Sequence, residues 1–552
     1  MGHWNRKPGL AAARAAGITS PITTTGHALT HEGAPGFART PASELFLLAV
    51  TDMAGQNTHY ETAEVRGKRL AALAQTVAVD DPAWMAGFIP WLRNSAHMRS
   101  AAVVVACEAV KARLDTGADN GAGYNRQFIR SACARADEPG EILAYWTSHY
   151  GRAIPKPVKN GVADAVRQLY TEHALLKYDS PAAGFRFGDV IDLVHPSPDP
   201  AKAWQGDLFR CALDRRHGRG STIPASLPML NRRAWLLGLP TQKRRTLLTE
   251  PGAHRLLAQA GMTWEALSGW LQGPMDAAAW EAIIPSMGYM ALLRNLRNLD
   301  NAKISDTTAE TVAARIADPI EAARSRQLPI RFLSAYRAAG HNLRWAGALE
   351  RALSASLANI PELPGRTLIM VDTSTSMREP MSDNSEMARW HAAALLGIAL
   401  AIRCDTANVV SFSSTQQYTH QAPGAHTKHF TILPGESVLR SLDRWANSGF
   451  FLGGGTETAA ALRKEYRDHD RVIVLTDEQA TDGTTAVSVD RAIPANIPMY
   501  TANLAGYQAG HAPAGTAHRH TFGGLTDELF RVIPLLESHR KATWPWETGT
   551  AD

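Results

Sequence analysis

The chain of 552 residues has only four cysteines, which lie far apart and form no C-x-x-C pair. Disulfide frameworks and zinc ribbons need clustered cysteines, so both classes are disfavoured. Long apolar runs are also missing, because the longest, Ala392 to Ile402, is about half the length that spans a bilayer. The opening MGHWNRKPGL lacks the apolar core of a secretory signal and has Arg6 where a myristoylation signal needs Ser or Thr. We therefore expect a cytoplasmic protein without a membrane anchor.

Several catalytic motifs are absent as well. The segment GGGTE lacks the G-K-[ST] ending of a phosphate-binding loop, and no G-x-S-x-G nucleophile elbow occurs. His511, His518 and His520 form a histidine cluster in a Gly/Ala-rich stretch, which is more typical of solvated loop residues than of a metal site. With no carboxylate cluster or histidine pair that argues for catalysis, we expect a protein that is not an enzyme.

The charge is distributed unevenly. Residues 366–552 hold 16 Lys and Arg against 20 Asp and Glu, a net charge of about −4, which leaves about +9 for residues 1–365. A basic N-terminal part favours an anionic partner such as a nucleic acid, whereas the C-terminal part has another role. A modest bias without a functional meaning is the alternative.

The sequence divides into three parts. Residues 1–40 are rich in Gly, Ala, Pro and Thr and are predicted to form an extended arm. Residues 41–362 show helical periodicity, and the segment VADAVRQLYTEHALLK is predicted to be one helix. Many helices in series without strands predict a HEAT-like helical-repeat module, with a compact irregular bundle as the alternative. Residues 363–552 alternate strands and helices, which predicts a doubly wound α/β domain. The predicted strands are RTLIMVD, ANVVSFSS, RVIVLTDE and IPMYTANL, and the closing helix is LTDELFRVIPLLESHR, residues 525–540.

One helix of the middle part has two distinct faces. The segment YMALLRNLRNLDN places Leu292, Leu296 and Leu299 on one side and polar side chains on the other. The polar face presents Arg294, Arg297, Asn298 and Asn301. We expect the leucines to be buried and the cations to face solvent or a ligand.

The α/β part offers a set of oxygen ligands. Asp372, Ser374 and Ser376 follow the apolar strand RTLIMVD, Thr456 follows three glycines before a helix, and Asp477 ends the strand RVIVLTD. Ligands of such domains bind at the carboxyl edge of the sheet, where these segments end. An all-oxygen set with few charges suits Mg²⁺ or Mn²⁺ held partly through water, with a position open for a partner's carboxylate or phosphate.

The order D-x-S-x-S, then T, then D resembles the metal-ion-dependent adhesion site of a von Willebrand factor A domain. The resemblance implies that the domain docks a partner through its metal. A helix-capping cluster without a metal is the alternative interpretation of these residues.

A helical array followed by such a domain resembles the Ro autoantigen family, whose N-terminal part is the TROVE module. The most specific match is IPSMGYMALLRNLRNL. Looser matches are LPIRFLSAYRAAGHNLRW, YGRAIPK, LLKYDSPAAGFRFGDVIDLVHPSP and ELFLLAVTDMAGQNTHYE. The similarity covers roughly residues 40–540.

The resemblance implies a monomeric ring of helical repeats closed by the A domain. Such proteins bind single-stranded ends of misfolded RNA in a central hole and small non-coding Y RNAs on the rim. Bacterial relatives act in RNA quality control or maturation, in some cases by tethering an exoribonuclease. The candidate RNA contacts are Arg294, Arg297 and Asn298 in the hole and Arg152, Lys156, Lys159, Arg167 and Lys177 on the outer surface.

One segment departs from the family pattern. Asp179 follows Tyr178 directly, Phe187 stands where a His is expected, Arg186 is the one cation there, and His195 is kept. The departure favours single-stranded ends over Y-like RNA. The rival hypothesis is a protein-interaction adaptor that docks an acidic partner residue on the A-domain metal. RNA binding requires converging cations, whereas the adaptor predicts scattered ones.

Overall fold

The structure is a computed structural model that describes most, but not all, of the chain. The described residues are 24–29, 35–50, 63–118, 121, 123–220, 222–327, 329–339, 342–360, 362–380, 387–415, 424–477, 489–504, 518–523, 533, 536–537 and 543–547. The chain divides into two compact units. The helical unit comprises Ala74–Glu321 and Ala338–Ala348, and the sheet unit comprises Met1–Leu73, Ala322–Arg337 and Leu349–Asp552. The boundaries predicted after residues 40 and 362 remain predictions.

Helices dominate the described residues before the sheet, as predicted. They are α1 (Pro41–Val50), α2 (Ala63–Asp80), α3 (Pro82–Asn94), α4 (Arg99–Asp115), α5 (Tyr124–Ser131), α6 (Glu138–Tyr150), α7 (Lys156–Leu169), α8 (Glu172–Tyr178), α9 (Phe187–Val194), α10 (Gln205–His217), α11 (Pro228–Leu237), α12 (Thr241–Thr249), α13 (Ala253–Gln259), α14 (Trp264–Leu271), α15 (Ala277–Ile283), α16 (Tyr289–Asn301), α17 (Asp306–Ala317), α18 (Pro319–Ser325), α19 (Pro329–Ala339) and α20 (Leu343–Ser356). In the part of the chain that the structure describes, no helix combines the length and apolarity that a bilayer crossing requires.

Helix α16 confirms the predicted division of its faces. Leu292, Leu296 and Leu299 are buried, whereas Arg294 and Arg297 are exposed. The prediction of one helix through VADAVRQLYTEHALLK is wrong, because α7 ends at Leu169 and α8 starts at Glu172. The hydroxyl of Thr171 accepts a hydrogen bond from the amide of Ala174 at 3.1 Å, which starts a new helix after the break.

Two features hold the first helices of the helical unit together. Helices α5 and α7 approach so closely that a Cβ atom on Gly161 would lie 2.6 Å from Cβ of Ile129. Glu138, fully buried, accepts hydrogen bonds from Arg93 Nη2 at 2.6 Å and from the amide of Ala134 at 2.7 Å. A buried carboxylate with charged and backbone partners avoids the cost of an unpaired buried charge.

The sheet unit contains a six-stranded sheet. Its strands are β3 (Leu363–Asp372), β4 (Cys404–Ser414), β5 (Ala425–Phe430), β6 (Arg471–Thr476), β7 (Met499–Asn503) and β8 (Arg519–Gly523), in the spatial order β5-β4-β3-β6-β7-β8. All pairs are parallel except β4 with β5, so one edge is antiparallel. The four central strands were predicted and the edge strands β5 and β8 were not, which refines the α/β prediction without overturning it.

Helices α21 (Arg389–Arg403), α22 (Val438–Asn447) and α23 (Thr458–Glu465) complete the α/β arrangement. Every residue of β6 is buried, as expected for a central parallel strand. Helix α21 packs on β3 through Gly397, where a Cβ atom would lie 2.9 Å from Cγ2 of Val371. The chain passes from β3 to β4 on one side and returns to β6 on the other, so a topological switch point lies at the carboxyl end of β3.

Both chain ends contribute to the sheet unit. Strands β1 (Thr24–Leu29) and β2 (Pro35–Arg39) form a two-stranded antiparallel sheet in the segment that we predicted to be an extended arm. Phe46 of α1 lies 5.2 Å from Trp544, measured between ring centroids. Of the closing helix predicted over 525–540, most residues lie outside the described set, but Glu537 accepts a hydrogen bond from the buried Arg471 Nη2 at 2.6 Å.

Candidate functional site

The first candidate site lies at the switch point of the sheet. Asp372 ends β3, and Asp477 directly follows the neighbouring strand β6. The hydroxyl of Thr476 donates a hydrogen bond of 2.6 Å to Asp372 Oδ2, which holds the two strand ends together. Both carboxylates are completely buried. The fold therefore brings together the two acidic residues that the sequence analysis selected.

The two serines are positioned by the turn that leaves β3. The amide of Ser374 donates a hydrogen bond of 2.8 Å to Asp372 Oδ1, and a 3-10 turn, Thr375–Arg378, follows. The hydroxyl oxygens of Ser374 and Ser376 lie 3.2 Å apart. Adjacent ligands of an octahedral ion with bonds of 2.0–2.1 Å lie about 3.0 Å apart. The serine hydroxyls thus lie within a few tenths of an ångström of the spacing of two neighbouring Mg²⁺ ligands.

The glycine-rich loop packs directly on this turn. The amide of Gly453 donates to the carbonyl of Thr373 at 2.9 Å, and the amide of Gly454 donates to the hydroxyl of Thr375 at 3.1 Å. Both glycines have positive φ values, 70° and 83°, which side-chain-bearing residues rarely adopt. The amide of Ser414 donates a hydrogen bond of 2.8 Å to the carbonyl of Gly455, and Thr456 follows Gly455 in the chain. This loop is what carries Thr456 to the carboxyl edge.

The negative charge of the two buried carboxylates favours binding of a further cation at this site. Burial raises the pKa of Asp372 to about 7, and the charge of Asp477 raises it too, against hydrogen bonds from Thr476 and Ser374 that lower it. Arg389, at the start of α21, places Nη1 3.1 Å from Asp477 Oδ2, with 17% of its side chain exposed. One guanidinium compensates one of the two carboxylates, so the residues present fit a divalent cation.

Other metal sites of the histidine or carboxylate type find no support in the described part of the chain. It contains no group of three or more His, Cys, Asp or Glu side chains suited to a metal ion. The set at the switch point has only two carboxylates, and hydroxyls supply the rest. Of the histidine cluster, His511 lies outside the described residues, His518 is exposed, and His520 is buried against Tyr500.

The second candidate site is a cavity of about 610 Å³ in the helical unit. Four cations line it: Arg126, Arg130, Arg167 and Lys202. Two acids also line it, Asp164 and Asp199. Only Arg167 of this set was predicted as an RNA contact. Sequence reasoning missed the others because they come from α5 and from the segment after α9, which are separated in the chain.

The acids of this cavity hold two cations in place. Arg126 makes two hydrogen bonds to Asp164, of 2.6 and 2.7 Å. Lys202 donates to the carbonyl of Arg167 at 2.9 Å and lies 3.7 Å from Asp199. The carboxylates thereby serve as supports and leave the cavity with a net positive charge.

The remaining two cations are open to a ligand. Arg130 is exposed, and Arg167 buries its Nε atom without a hydrogen-bond partner among the described residues. A buried guanidinium nitrogen without a partner is costly. An anion entering the cavity would satisfy it.

The structure places the other predicted RNA contacts on the surface of the helical unit. Arg152, Lys156 and Lys177 are exposed and Lys159 is half-buried. Arg294 and Arg297 are exposed on α16, and Asn298 donates to Asn295 Oδ1 at 2.9 Å. None of these residues lines the 610 Å³ cavity.

Comparison with known proteins supports the predicted TROVE resemblance and the predicted fold. Residues 250–344 match the model of the TROVE domain. A search of curated proteins finds no match. The crystal structure of the Deinococcus radiodurans RO (RSR) protein is similar to this chain with a TM-score of 0.62 and 16% identity, over 90% of this chain and 99% of that chain. The predicted resemblance to the Ro family and the predicted fold class are confirmed.

Proposed function

We propose that this chain, Ro-like in its TROVE domain and its fold, is a non-enzymatic RNA-binding protein whose helical unit contacts the phosphates. Its substrates are single-stranded 3′ ends of misfolded RNA, and its role is RNA quality control or maturation in the cytoplasm. Small Y-like RNA is the second substrate class. Single strands bind basic grooves through phosphate contacts that do not depend on sequence.

The convergence of cations in the 610 Å³ cavity carries this proposal. Arg126, Arg130, Arg167 and Lys202 come from three segments and line one volume. The rival hypothesis of a protein adaptor predicts scattered cations. Convergence of four cations on one cavity favours a polyanion.

The altered segment near Tyr178 favours single-stranded ends over Y-like RNA. Asp179 is buried and accepts hydrogen bonds from Arg186 Nη2 at 2.6 Å and from the amide of Phe187 at 3.0 Å. Phe187 stacks on Tyr170 with centroids 3.9 Å apart. These side chains are used inside the protein, so this segment offers an RNA few donors.

Arg130→Glu combined with Arg167→Glu is expected to lower the affinity for an unstructured RNA oligomer by about 100-fold at about 0.1 M salt. Two attractive phosphate contacts become repulsive. The slope of log affinity against log salt becomes shallower by about two, since each lost phosphate contact reduces it by about one. Filter binding across a salt series measures both. Lys243→Glu with Arg255→Glu is the matched control, since both side chains are exposed in the same unit and neither lines the cavity. Equal losses for the two pairs would contradict a cavity-specific role.

RNA that copurifies with the protein from its own cells, without nuclease, is expected to be a mixture of fragments with single-stranded 3′ ends. Sequencing the bound RNA, with the Arg130→Glu, Arg167→Glu protein as control, is the measurement. A single dominant structured RNA would instead establish the Y-like class. RNA no more abundant than in a mock purification would favour the adaptor.

We propose further that the switch point of the sheet unit holds Mg²⁺ or Mn²⁺, as in the metal-ion-dependent adhesion site of an A domain. Its ligands, direct or through water, are Asp372, Ser374, Ser376, Thr456 and Asp477. The support is the hydroxyl spacing of 3.2 Å and the pair of buried carboxylates. The bound ion would present a coordination position to a carboxylate of a protein partner, for which an exoribonuclease is one candidate.

A further inference from the structure

A second cavity of the helical unit has a different chemistry. It measures about 240 Å³ and lies between α8, α10 and α11. Its apolar wall includes Leu175, Leu230 and Leu237, and its charged side is formed by Arg215, Arg219 and Arg233. Among the described residues that line it there is no acid, and the one neutral polar side chain is the weakly hydrogen-bonding thiol of Cys211. Such a lining excludes a cation and fits a ligand with an apolar body and an anionic group.

The arginines are poorly compensated. Arg215 Nε lies 3.3 Å from Asp179 Oδ2, a carboxylate that already accepts hydrogen bonds from Arg186. Arg219 reaches Asp214 only at 3.9 Å. Arg233 donates to the backbone carbonyls of Ala260 and Gly261 rather than to an acid. The positive charges of these three guanidinium groups are therefore only weakly compensated by nearby carboxylates.

The pKa shifts of two groups near the cavity are consistent with an excess of positive charge there. Burial lowers the pKa of Arg233, and the charge of Arg215 lowers it further. Burial also lowers the pKa of His173, and the charges of Lys177 and Arg233 add to that shift. An anion in the cavity would relieve this repulsion.

The rim of the cavity exposes apolar surface. Leu237 lines the cavity and is 55% exposed, so part of the apolar wall is open to solvent. Pockets that receive an extruded base pack it against apolar side chains, and nearby cations hold the strand by its phosphates. A lining whose one neutral polar side chain is the thiol of Cys211 gives little means of distinguishing one base from another.

We propose that this cavity receives one unpaired nucleotide of a bound RNA strand, with its base against Leu175, Leu230 and Leu237 and its phosphate at Arg215, Arg219 and Arg233. The inference rests on the proposed RNA-binding function and deepens it. It makes the site selective for unpaired strands, because a base in a duplex must first be unpaired and unstacked, which costs free energy.

The test uses the full-length protein and an unstructured oligoribonucleotide of about ten residues with one 2-aminopurine. Leu237→Asp is expected to lower affinity about tenfold, through the lost base contact, and Arg219→Ala about threefold. The controls are Leu343→Asp, at a leucine that is 92% exposed, and Arg210→Ala, at a side chain 71% exposed and 3.8 Å from Asp207. Arg219 is matched to Arg210 because its side chain is 66% exposed.

Four further outcomes are informative. An oligomer of abasic residues that binds the wild type and Leu237→Asp equally would support base insertion. Wild-type affinity in both cavity variants would overturn the nucleotide pocket while leaving RNA binding at the larger cavity intact. Variants that lose binding of a fluorescent fatty acid but keep RNA affinity would overturn the proposal in favour of an anionic lipid. An absence of RNA binding by the wild type would overturn the proposed function itself.

Discussion

Replacing Asp372 and Ser374 by alanine is expected to abolish Mg²⁺ binding while leaving RNA affinity within about twofold. The substitutions remove a buried carboxylate and one of two hydroxyls that lie 3.2 Å apart, so the ion would lose a charged ligand and a neighbouring oxygen that water replaces without the same affinity. RNA affinity is kept because the proposed phosphate contacts belong to the helical unit. Isothermal titration with Mg²⁺ and filter binding with RNA are the two measurements.

Two further variants make the metal experiment specific. Asp372→Asn keeps the acceptor for the amide of Ser374 and removes the charge, which separates lost metal binding from misfolding. Arg389→Leu is expected to raise Mg²⁺ affinity roughly tenfold, because a guanidinium 3.1 Å from Asp477 repels an incoming cation. A large loss of RNA affinity in the alanine variant would contradict the division of roles between the two units.

Gly161→Ala is expected to destabilise the helical unit by about 3 kcal/mol. The new Cβ atom would lie 2.6 Å from Cβ of Ile129 and 2.7 Å from the carbonyl oxygen of Arg126, and the backbone contact cannot move without shifting α5. Since Arg126 and Arg130 of α5 line the larger cavity, RNA affinity should fall with stability. Urea unfolding followed by circular dichroism measures the change.

Gly269→Ala is the matched control for this substitution. Gly269 lies in α14, and a Cβ atom there would meet no other heavy atom within 4 Å. Its replacement is expected to raise stability by about 0.5–1 kcal/mol, since alanine restricts the unfolded chain and favours the helix. Similar unfolding midpoints for the two variants would show that the close approach of α5 and α7 does not limit stability.

Elements with a strong local pattern were predictable from the sequence. The stripe of Leu292, Leu296 and Leu299 determines which face of α16 is buried, because three- and four-residue spacings align side chains on a helix. Strands β3 and β6 contain the continuous apolar runs LIMV and VIVL, a pattern typical of parallel strands buried on both faces.

Elements without such a pattern were missed. Strand β5, AHTKHF, is mostly polar and becomes a strand only by pairing with β4 at an edge. The break between α7 and α8 has no Pro or Gly, and the hydroxyl of Thr171 decides it. Leu333 and Tyr336 of α19 line a small cavity with Trp390 and Leu439, all four within the sheet unit, and the helical periodicity of α19 does not predict this packing. Long-range packing, which local periodicity does not encode, determines these features.

The sequence by itself determined the composition of the carboxyl-edge site. Asp372, Ser374 and Ser376 are close together in the chain and follow a buried strand. The residues that follow a parallel strand lie at the carboxyl edge of its sheet. Only the tertiary structure decided that Arg389 faces Asp477, 88 residues away, and that Arg126, Arg130, Arg167 and Lys202 share one cavity. A motif of adjacent residues is set by local backbone geometry. A cluster from separate helices depends on how those helices pack, which in α5 and α7 is set by the absent side chain of Gly161.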